Sequence, residues 1–332
     1  MTILGIDTSC DDTAIAVLEE KEGEFKVLSN VISSQVKLHQ KYGGVYPSLA
    51  KREHKKNLPI VFEKALKKTG IKEVDYFAVT IGPGLDPCLW EGINFIKKRA
   101  DKSIIPVNHM EAHILINFLE EKPEKVLPAL SLVVSGGHTQ LVLIKKIANY
   151  KIIGETRDDA AGECFDKTAR ILGLSYPGGP AIAKEAEEES SLSIDLPRPM
   201  INTKDYDFSF SGLKTAVLYD FKKRNKKVRE SKEYIRAMAR EIQQAIIDVL
   251  IKKTLKVAKE YEIENIILGG GVSANKKLGQ QLRKNKEFKF WIPQPRLCTD
   301  NGLMIALTGY FNKDKAVKNF REIKSKPNLR LC

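Results

Sequence analysis

Apolar residues fall in short blocks near the start of the chain and at helical spacing further on. "TILGIDTS" is an apolar run closed by a polar turn, and "TAIAVLEE" follows it at once. The pair predicts strand, turn and strand, with a third strand near "FKVLSNVISS". "YPSLAKREHKKNLPIVFEKALKKTG" is spaced as a helix, with Pro59 expected to bend or break it and Gly70 to stop it. "VDYFAVTIGPG" predicts a strand ending in a Gly-Pro-Gly turn, "CLWEGINFIKKRA" a helix, and "SIIPVN" a short strand that leads into "HMEAH".

The pattern then begins again. "PALSLVVSGGHTQLVLIKK" is strand, tight polar turn and strand, and "YKIIGET" is a third strand. The first turn is centred near residue 10 and the second near residue 137. One supersecondary unit met twice predicts two similar lobes that arose by duplication. Helices follow in "GECFDKTARILGL" and "GPAIAKEAEEES" and from about 232 to 260, where Ile235, Met238, Ala239, Ile242, Ile246, Val249 and Leu250 form one stripe. "ENIILGGGVSANKKLGQQLR" reads as strand, glycine turn and helix. Glycine-rich turns at strand ends, one per lobe, suit a nucleotide held between the lobes, and the GGG turn before a helix offers a second anion or ribose site. Neither G-x-x-x-x-G-K-[ST] nor G-x-G-x-x-G occurs, which excludes a P-loop and a dinucleotide fingerprint.

A chain of 332 residues accommodates two domains or one large one. Hydrophobic residues at 42% and charged residues at 29% fit a soluble globular protein. No apolar run approaches the length of a membrane span, and "MTILGIDTSCDD" reads as a first strand rather than a signal peptide. Cys10, Cys88, Cys164, Cys298 and Cys332 are odd in number and never form C-x-x-C, as expected of reduced cytoplasmic thiols. The net charge of +13 attracts polyanions, although lysines spread over solvated helices account for it equally well. Residues 214–232 tip the balance toward phosphate contacts: Lys214, Lys222, Lys223, Arg224, Lys226, Lys227, Arg229 and Lys232 face only Asp220 and Glu230.

His109 and His113 are four apart, about 40° apart around a helix, so one helical face can present both imidazoles to a divalent metal. The zinc-protease signature H-E-x-x-H has the same histidine spacing. There the Glu follows the first His, ~100° round the helix; Glu111 stands two positions on, ~200° from His109, and faces away from the metal side. That direction argues against a metalloprotease.

"GIDTSCDDTAIAV", "NHMEAH", "SGGHTQLV", "GETRDDAAGECFDKTARILGLSYPGGP", "FSFSGLKTAV", "GGGVSAN" and "LCTDNGLMIA" together resemble the tRNA threonylcarbamoyladenosine transferases, the TsaD family, from residue 3 to about residue 330. The wording of SCDDT and HMEAH is of the bacterial type. The resemblance implies an α/β fold of the actin, sugar-kinase and heat-shock ATPase kind, with two duplicated ribonuclease-H-like lobes about a central cleft. The first lobe is expected at 1–108 plus about 305–332, and the second at 109–304 with a helical insertion at about 160–260. It further implies transfer of threonylcarbamoyl from threonylcarbamoyl-adenylate to N6 of the adenosine 3′ of the anticodon, in tRNAs reading codons that begin with A. ATP, ADP or AMP would also fit the nucleotide site. The implied partners are tRNA, a degenerate relative of the same fold and a small P-loop ATPase, with a separate synthase making the adenylate, all in the cytoplasm and none in a membrane.

The resemblance also implies a third metal ligand, Asp300 of the TDN motif, just before a helix whose N–H groups would orient it. Iron(II) is the expected metal, with zinc or magnesium tolerated. Ser135, Gly136, Gly137, His138 and Thr139 match the substrate-contacting SGGHT, their amides and hydroxyls suiting phosphate or carboxylate. Asp166 would accept from ribose hydroxyls, Gly179 would let the chain approach the nucleoside, and Asn275 would cap a helix and bond substrate. Asp11 and Asp12, beside the first turn, are candidates to orient or deprotonate the incoming amine. Two departures stand out: Asp12 replaces the family's usual Glu, and "GPGLDPCLWEG", with Pro87 and Trp90, can alter partner docking or lobe packing. The rival readings are an ATP-dependent phosphotransferase of the same fold, which the lack of a D-x-G first turn disfavours, and a non-catalytic scaffold, which would lack the metal pair.

Overall fold

The structure is a computed structural model that describes residues 1–71 and 73–331. The chain forms two compact units. The first holds Met1–Val126, Lys146–Asn149 and Thr299–Cys332; the second holds Leu127–Lys145 and Tyr150–Cys298. In the first unit, β1 (Thr2–Asp7), β2 (Asp12–Lys21) and β3 (Glu24–Ser34) form an antiparallel meander, and β4 (Tyr76–Gly82) and β5 (Ile104–Asn108) add in parallel to give the order β3-β2-β1-β4-β5. In the second, β6 (Ala129–Val134), β7 (Thr139–Lys146), β8 (Asn149–Glu155), β9 (Asn265–Gly269) and β10 (Lys289–Trp291) repeat that plan as β10-β9-β6-β7-β8. The repeated hairpin read from the sequence is therefore the start of a repeated sheet.

The principal helices are α1 (Pro47–Thr69), α2 (Asp86–Lys97), α3 (His109–Leu115), α4 (Ala161–Ile171), α5 (Gly178–Glu187), α6 (Ser211–Lys223), α7 (Lys232–Glu260), α8 (Lys276–Leu282) and α9 (Gly302–Phe311). Among the described residues no helix is long and apolar enough to cross a membrane. Pro59 does not break α1, which runs on past it to Thr69. It lies on the exposed face, opposite the buried Ala50, His54, Leu58, Val61 and Ala65, so the hydrogen bond it removes is lost toward water. Gly70 does stop the helix, in the left-handed conformation at φ 69°.

The unit boundaries also differ from the expected ones. Residues 109–126 and 299–304 belong with the first unit, not the second. The cause is packing: α3 continues directly from β5, and α9 lies on β1 and α3. The helix comes so close to the sheet that a Cβ on Gly5 would overlap Ala306 N, and one on Gly302 would overlap Ala16 N. The loop "GPGLDPCLWEG" is absorbed in the same unit. Pro87 sits in the first turn of α2, where its missing N–H is harmless, and Trp90 packs against the core with Lys97 Nζ 5.7 Å from its ring.

The helices α4 to α7 occupy the expected insertion at about 160–260, and their apolar faces build the second core around Phe165, Phe208, Phe210 and Tyr234. Two motifs meet there. Asp158 accepts from Ser209 Oγ and Ser211 Oγ at 2.6 Å each and from Phe210 N at 2.8 Å, and Asp159 pairs with Lys167 at 2.7 Å and Lys214 at 3.1 Å. "RDDAAGECFDK" and "FSFSGLKT" are thus two halves of one clamp. The close fit of α9 gives a test: Gly5→Val lowers unfolding stability by about 3 kcal/mol or more, because backbone on both sides must shift. Urea denaturation measures it, and an unchanged midpoint would contradict the packing described.

Candidate metal centre and nucleotide-binding turns

The metal centre begins at the end of β5. Asn108 caps α3, its Oδ1 accepting from Met110 N at 2.8 Å and Glu111 N at 3.2 Å. The cap starts a helix at the first histidine, which puts His109 and His113 one turn apart with ring centroids 4.6 Å from each other. Asp300 arrives from the start of α9. Its Oδ1 lies 3.4 Å from His109 Nε2 and 3.2 Å from His113 Nε2. The helix cap is the neighbouring Asn301, which accepts from Met304 N at 3.0 Å, so the Asp300 carboxylate is turned to the imidazoles rather than spent on N–H groups.

These ligand atoms all lie within 4.8 Å of one another. Bonds of about 2.1 Å place neighbouring ligands roughly 3.0–3.4 Å apart, so the donor set fits a divalent metal. Two imidazoles and one carboxylate leave coordination positions open, and the Asp300 side chain is 21% exposed while that of His113 is 1% exposed. Glu111 points elsewhere: its Oε2 accepts from Asn312 Nδ2 at 3.0 Å. Asn312 follows the last turn of α9, about 16 Å along the helix from Asn301, so Glu111 ties α3 to the end of α9 away from Asp300.

A residue not singled out from sequence completes the centre. Asp7 is fully buried, with Oδ1 3.3 Å from His109 Nδ1. Thr80 Oγ1 donates to that oxygen at 2.5 Å, and Ser9 Oγ lies 2.9 Å from Asp7 Oδ2 and 3.4 Å from Asp300 Oδ2. The carboxylate stands behind the ring's second nitrogen, where its charge acts on the imidazole. The one signal in the sequence was an acid ending an otherwise apolar strand. Burial alone would lower the His109 pKa, but Asp300 and Asp7 outweigh it and hold the ring up at about 10. Burial likewise pushes Asp300 up, and His109 and His113 overcome it, holding the carboxyl well below the usual range.

Asp11 and Asp12 close the turn between β1 and β2. Burial raises Asp12 to about 7 against the opposing hydrogen bond of Ser34, with Asp300 and Asp11 adding to the rise. Its Oδ1 is buried without a hydrogen-bond partner among the described residues.

In the second unit, Ser135 to Thr139 make the β6–β7 turn. Ser135 N donates to His138 O at 2.8 Å and Ser135 Oγ accepts from His138 N at 3.1 Å. Gly136 and Gly137 are exposed, and a side chain on either would meet open space. Thr139 differs from expectation: it is fully buried, and its hydroxyl accepts from Ala161 N at 2.9 Å at the start of α4. Asp166 accepts from Gly178 N at 2.6 Å, and burial raises it to about 6. Gly178, rather than Gly179, is the glycine that packing demands, because a Cβ there would collide with Phe165 O and Asp166 Cα. Asn275 caps α8, accepting from Leu278 N at 3.1 Å and donating to Gln243 at 2.8 Å. In the basic stretch, Lys214 and Arg224 are tied to Asp159 and Asp220, whereas Lys222, Lys223, Lys226 and Lys227 are exposed and enter no ion pair with the described residues.

The fold class follows from likeness to solved structures. Component A of (R)-2-hydroxyglutaryl-CoA dehydratase from Acidaminococcus fermentans matches with a TM-score of 0.55 at 14% identity, over 95% of this chain and 99% of that one. HypF from T. kodakarensis matches at 0.60 and 13%, over 96% and 48%. These likenesses show the fold alone, an actin-like ATPase fold. Sequence narrows the class. The profile of the TsaD family, tRNA N6-adenosine threonylcarbamoyltransferase, matches residues 26–307. Proteins of that name from Thermosipho africanus (44% identical, 100% of both chains) and Persephonella marina (47%, 93% of this chain and 90% of that one) align with it. The chain belongs to the tRNA N6-adenosine threonylcarbamoyltransferase family.

The centre is open to direct measurement. His109→Ala, His113→Ala and Asp300→Ala each abolish tight cobalt(II) binding read by its d–d absorption, and Asp7→Asn weakens it about 10–100-fold. Because His109 must lose a proton to bind metal, wild-type affinity rises by about tenfold per pH unit between pH 6 and 8. A flat profile would show that the ring is already neutral in this range, and the alanine variants alone then decide whether it is a ligand.

Proposed function

We propose that this chain transfers the threonylcarbamoyl group from threonylcarbamoyl-adenylate to the N6 amine of the adenosine 3′ of the anticodon, in tRNAs that read codons beginning with A. The observation that carries this reading is the convergence of His109, His113 and Asp300 in a chain that aligns end to end with transferases of that name. The adenine amine is a weak nucleophile, its lone pair delocalised into the ring, so the acyl group must be strongly polarised. A bound divalent metal, iron(II) by preference, supplies a Lewis acid for charge on the leaving phosphate. In the transfer a bond forms between N6 and the carbamoyl carbon, the bond from that carbon to the phosphate oxygen breaks, AMP leaves, and N6 loses a proton. Asp12, raised to about 7, or Asp11 beside it takes that proton.

Gly136 and Gly137 offer amides to the adenylate phosphate or the threonyl carboxylate, with Ser135 and His138 holding their turn. Asp166 accepts from the ribose, and Gly179 leaves room beside it. Thr139 and Asn275 support these groups by capping α4 and α8. Lys222, Lys223, Lys226 and Lys227 meet tRNA phosphates. The protein works in the cytoplasm with a degenerate relative of its fold and a small P-loop ATPase.

The test is direct: purified protein, synthetic threonylcarbamoyl-adenylate and unmodified tRNA, with and without those partners, reading modified nucleoside by mass. Absence of product under all conditions rejects the reading. With Asp12 as base, the deprotonated form is the active one. The transfer rate then rises through about pH 7 and levels above it, and Asp12→Asn lowers the rate and removes the inflection. Changing the four lysines to Gln weakens tRNA binding and makes its salt dependence shallower.

A further inference from the structure

Three successive carbonyls of the β1–β2 turn are each held by a different part of the first unit. Ser9 O accepts from Leu85 N at 2.8 Å, Cys10 O from His54 Nε2 at 3.0 Å and Asp11 O from Gln35 N at 3.0 Å. Two of these donors are backbone amides, which any sequence supplies. The third is a side chain on α1, completely buried on the face that packs against β2.

The hydrogen bonding fixes the state of that ring. A carbonyl only accepts, so Nε2 of His54 carries the proton, and Nδ1 accepts from the Thr13 hydroxyl at 2.8 Å. Burial keeps the imidazole neutral by lowering its pKa, over the opposing pull of the Cys10 carbonyl and Asp7. His54 therefore grips the residue just before Asp11 and the residue just after Asp12. The Asp11 carbonyl is held by a second buried relay, in which His39 Nδ1 accepts from Tyr46 N at 3.3 Å and His39 Nε2 meets Gln35 Oε1 at 3.1 Å.

We infer that His54 is a positioning residue of the transfer reaction: by holding the Cys10 carbonyl and the Thr13 hydroxyl together, it sets the direction of the Asp11 and Asp12 carboxylates. It acts on proton transfer from the amine and not on the binding of metal or tRNA. This rests on the reading that one of those acids is the base.

The experiment compares His54→Phe, His54→Gln, Thr13→Val, Asp11→Asn and Asp12→Asn in the full chain, assayed with its partners for kcat, KM for tRNA, cobalt(II) affinity and Tm. His54→Phe keeps the ring volume but cannot donate or accept, and kcat falls about a hundredfold, the scale of an ångström of misplacement. KM and cobalt affinity stay within about threefold. His54→Gln, whose amide can donate to Cys10 and accept from Thr13, recovers kcat to within about tenfold of wild type. Thr13→Val leaves the ring and its bond to the Cys10 carbonyl in place but removes the Thr13 side of the grip, and kcat falls while the protein still folds; it carries the test if His54→Phe does not fold. Adding His54→Phe to whichever Asp variant is inactive causes no further loss.

If kcat survives Thr13→Val and His54→Phe while an Asp variant is inactive, the inference about His54 is wrong and the base reading stands. If His54→Phe lowers kcat, metal affinity and Tm together and His54→Gln is no better, the ring only supports the fold. If Asp11→Asn and Asp12→Asn both transfer at the wild-type rate, the base reading fails and takes the inference with it.

Discussion

Helix α9 lies so close on strands β1 and β2 that neither Gly5 nor Gly302 can carry a side chain. The rest of the metal centre depends on that contact. With the helix at this depth, Asp300, two residues before Gly302, reaches the two imidazoles and comes within reach of Ser9. A helix lifted by one methyl group would withdraw the carboxylate that, among the described residues, lies against both rings. Glu111 fastens the other end of the same helix through Asn312, so the acid that resembles a protease base is part of the scaffold holding Asp300 in place.

The electrostatics of the centre follow from burial. Asp7 is wholly enclosed, and Thr80 and Ser9 satisfy its oxygens as neutral donors that cancel no charge. Asp300 and Asp12 stand near it. Among these acids the nearest countercharge is a proton on His109, which explains why that ring is held up at about 10 although burial opposes it. A divalent cation in place of that proton balances the same carboxylates more fully. Shielding of Asp12 from solvent has the opposite consequence: its proton is held into the neutral range, where a group can both take and release it.

What the sequence made legible was whatever repeats or is local. The doubled hairpin, the helical spacing of His109 and His113 and the direction of Glu111 all follow from periods of two and 3.6 residues, and all are found in the structure. Partners distant in sequence were not legible. Asp7 reads as the polar end of a strand until His109 is brought behind it. Thr139 and Asn275 look like groups offered to a ligand, but their partners Ala161 and Gln243 lie 22 and 32 residues away. Pro59 was overread because pattern alone does not say which face of α1 meets water. The join at 108/109 was hidden for a related reason: α3 reads as the start of a new segment, but its cap is the last residue of β5.

The two hairpin turns occupy the same place in two copies of one sheet, yet their chemistry is opposite. The β1–β2 turn is rich in acids, and its carbonyls are gripped from outside, so carboxylates are what it presents; such a turn suits a cation or a proton-bearing amine. The β6–β7 turn carries Gly136 and Gly137, exposed and clear of neighbours, and its Ser135 carbonyl accepts from Gly162 N at 3.2 Å at the head of α4. That turn carries no acid, and its two glycines leave the backbone open to a ligand. Duplication supplied one geometry twice, and the side chains gave each copy its own chemistry. A phosphotransferase of this fold handles phosphate as well, but has less use for a first turn whose buried acid holds its proton near neutrality.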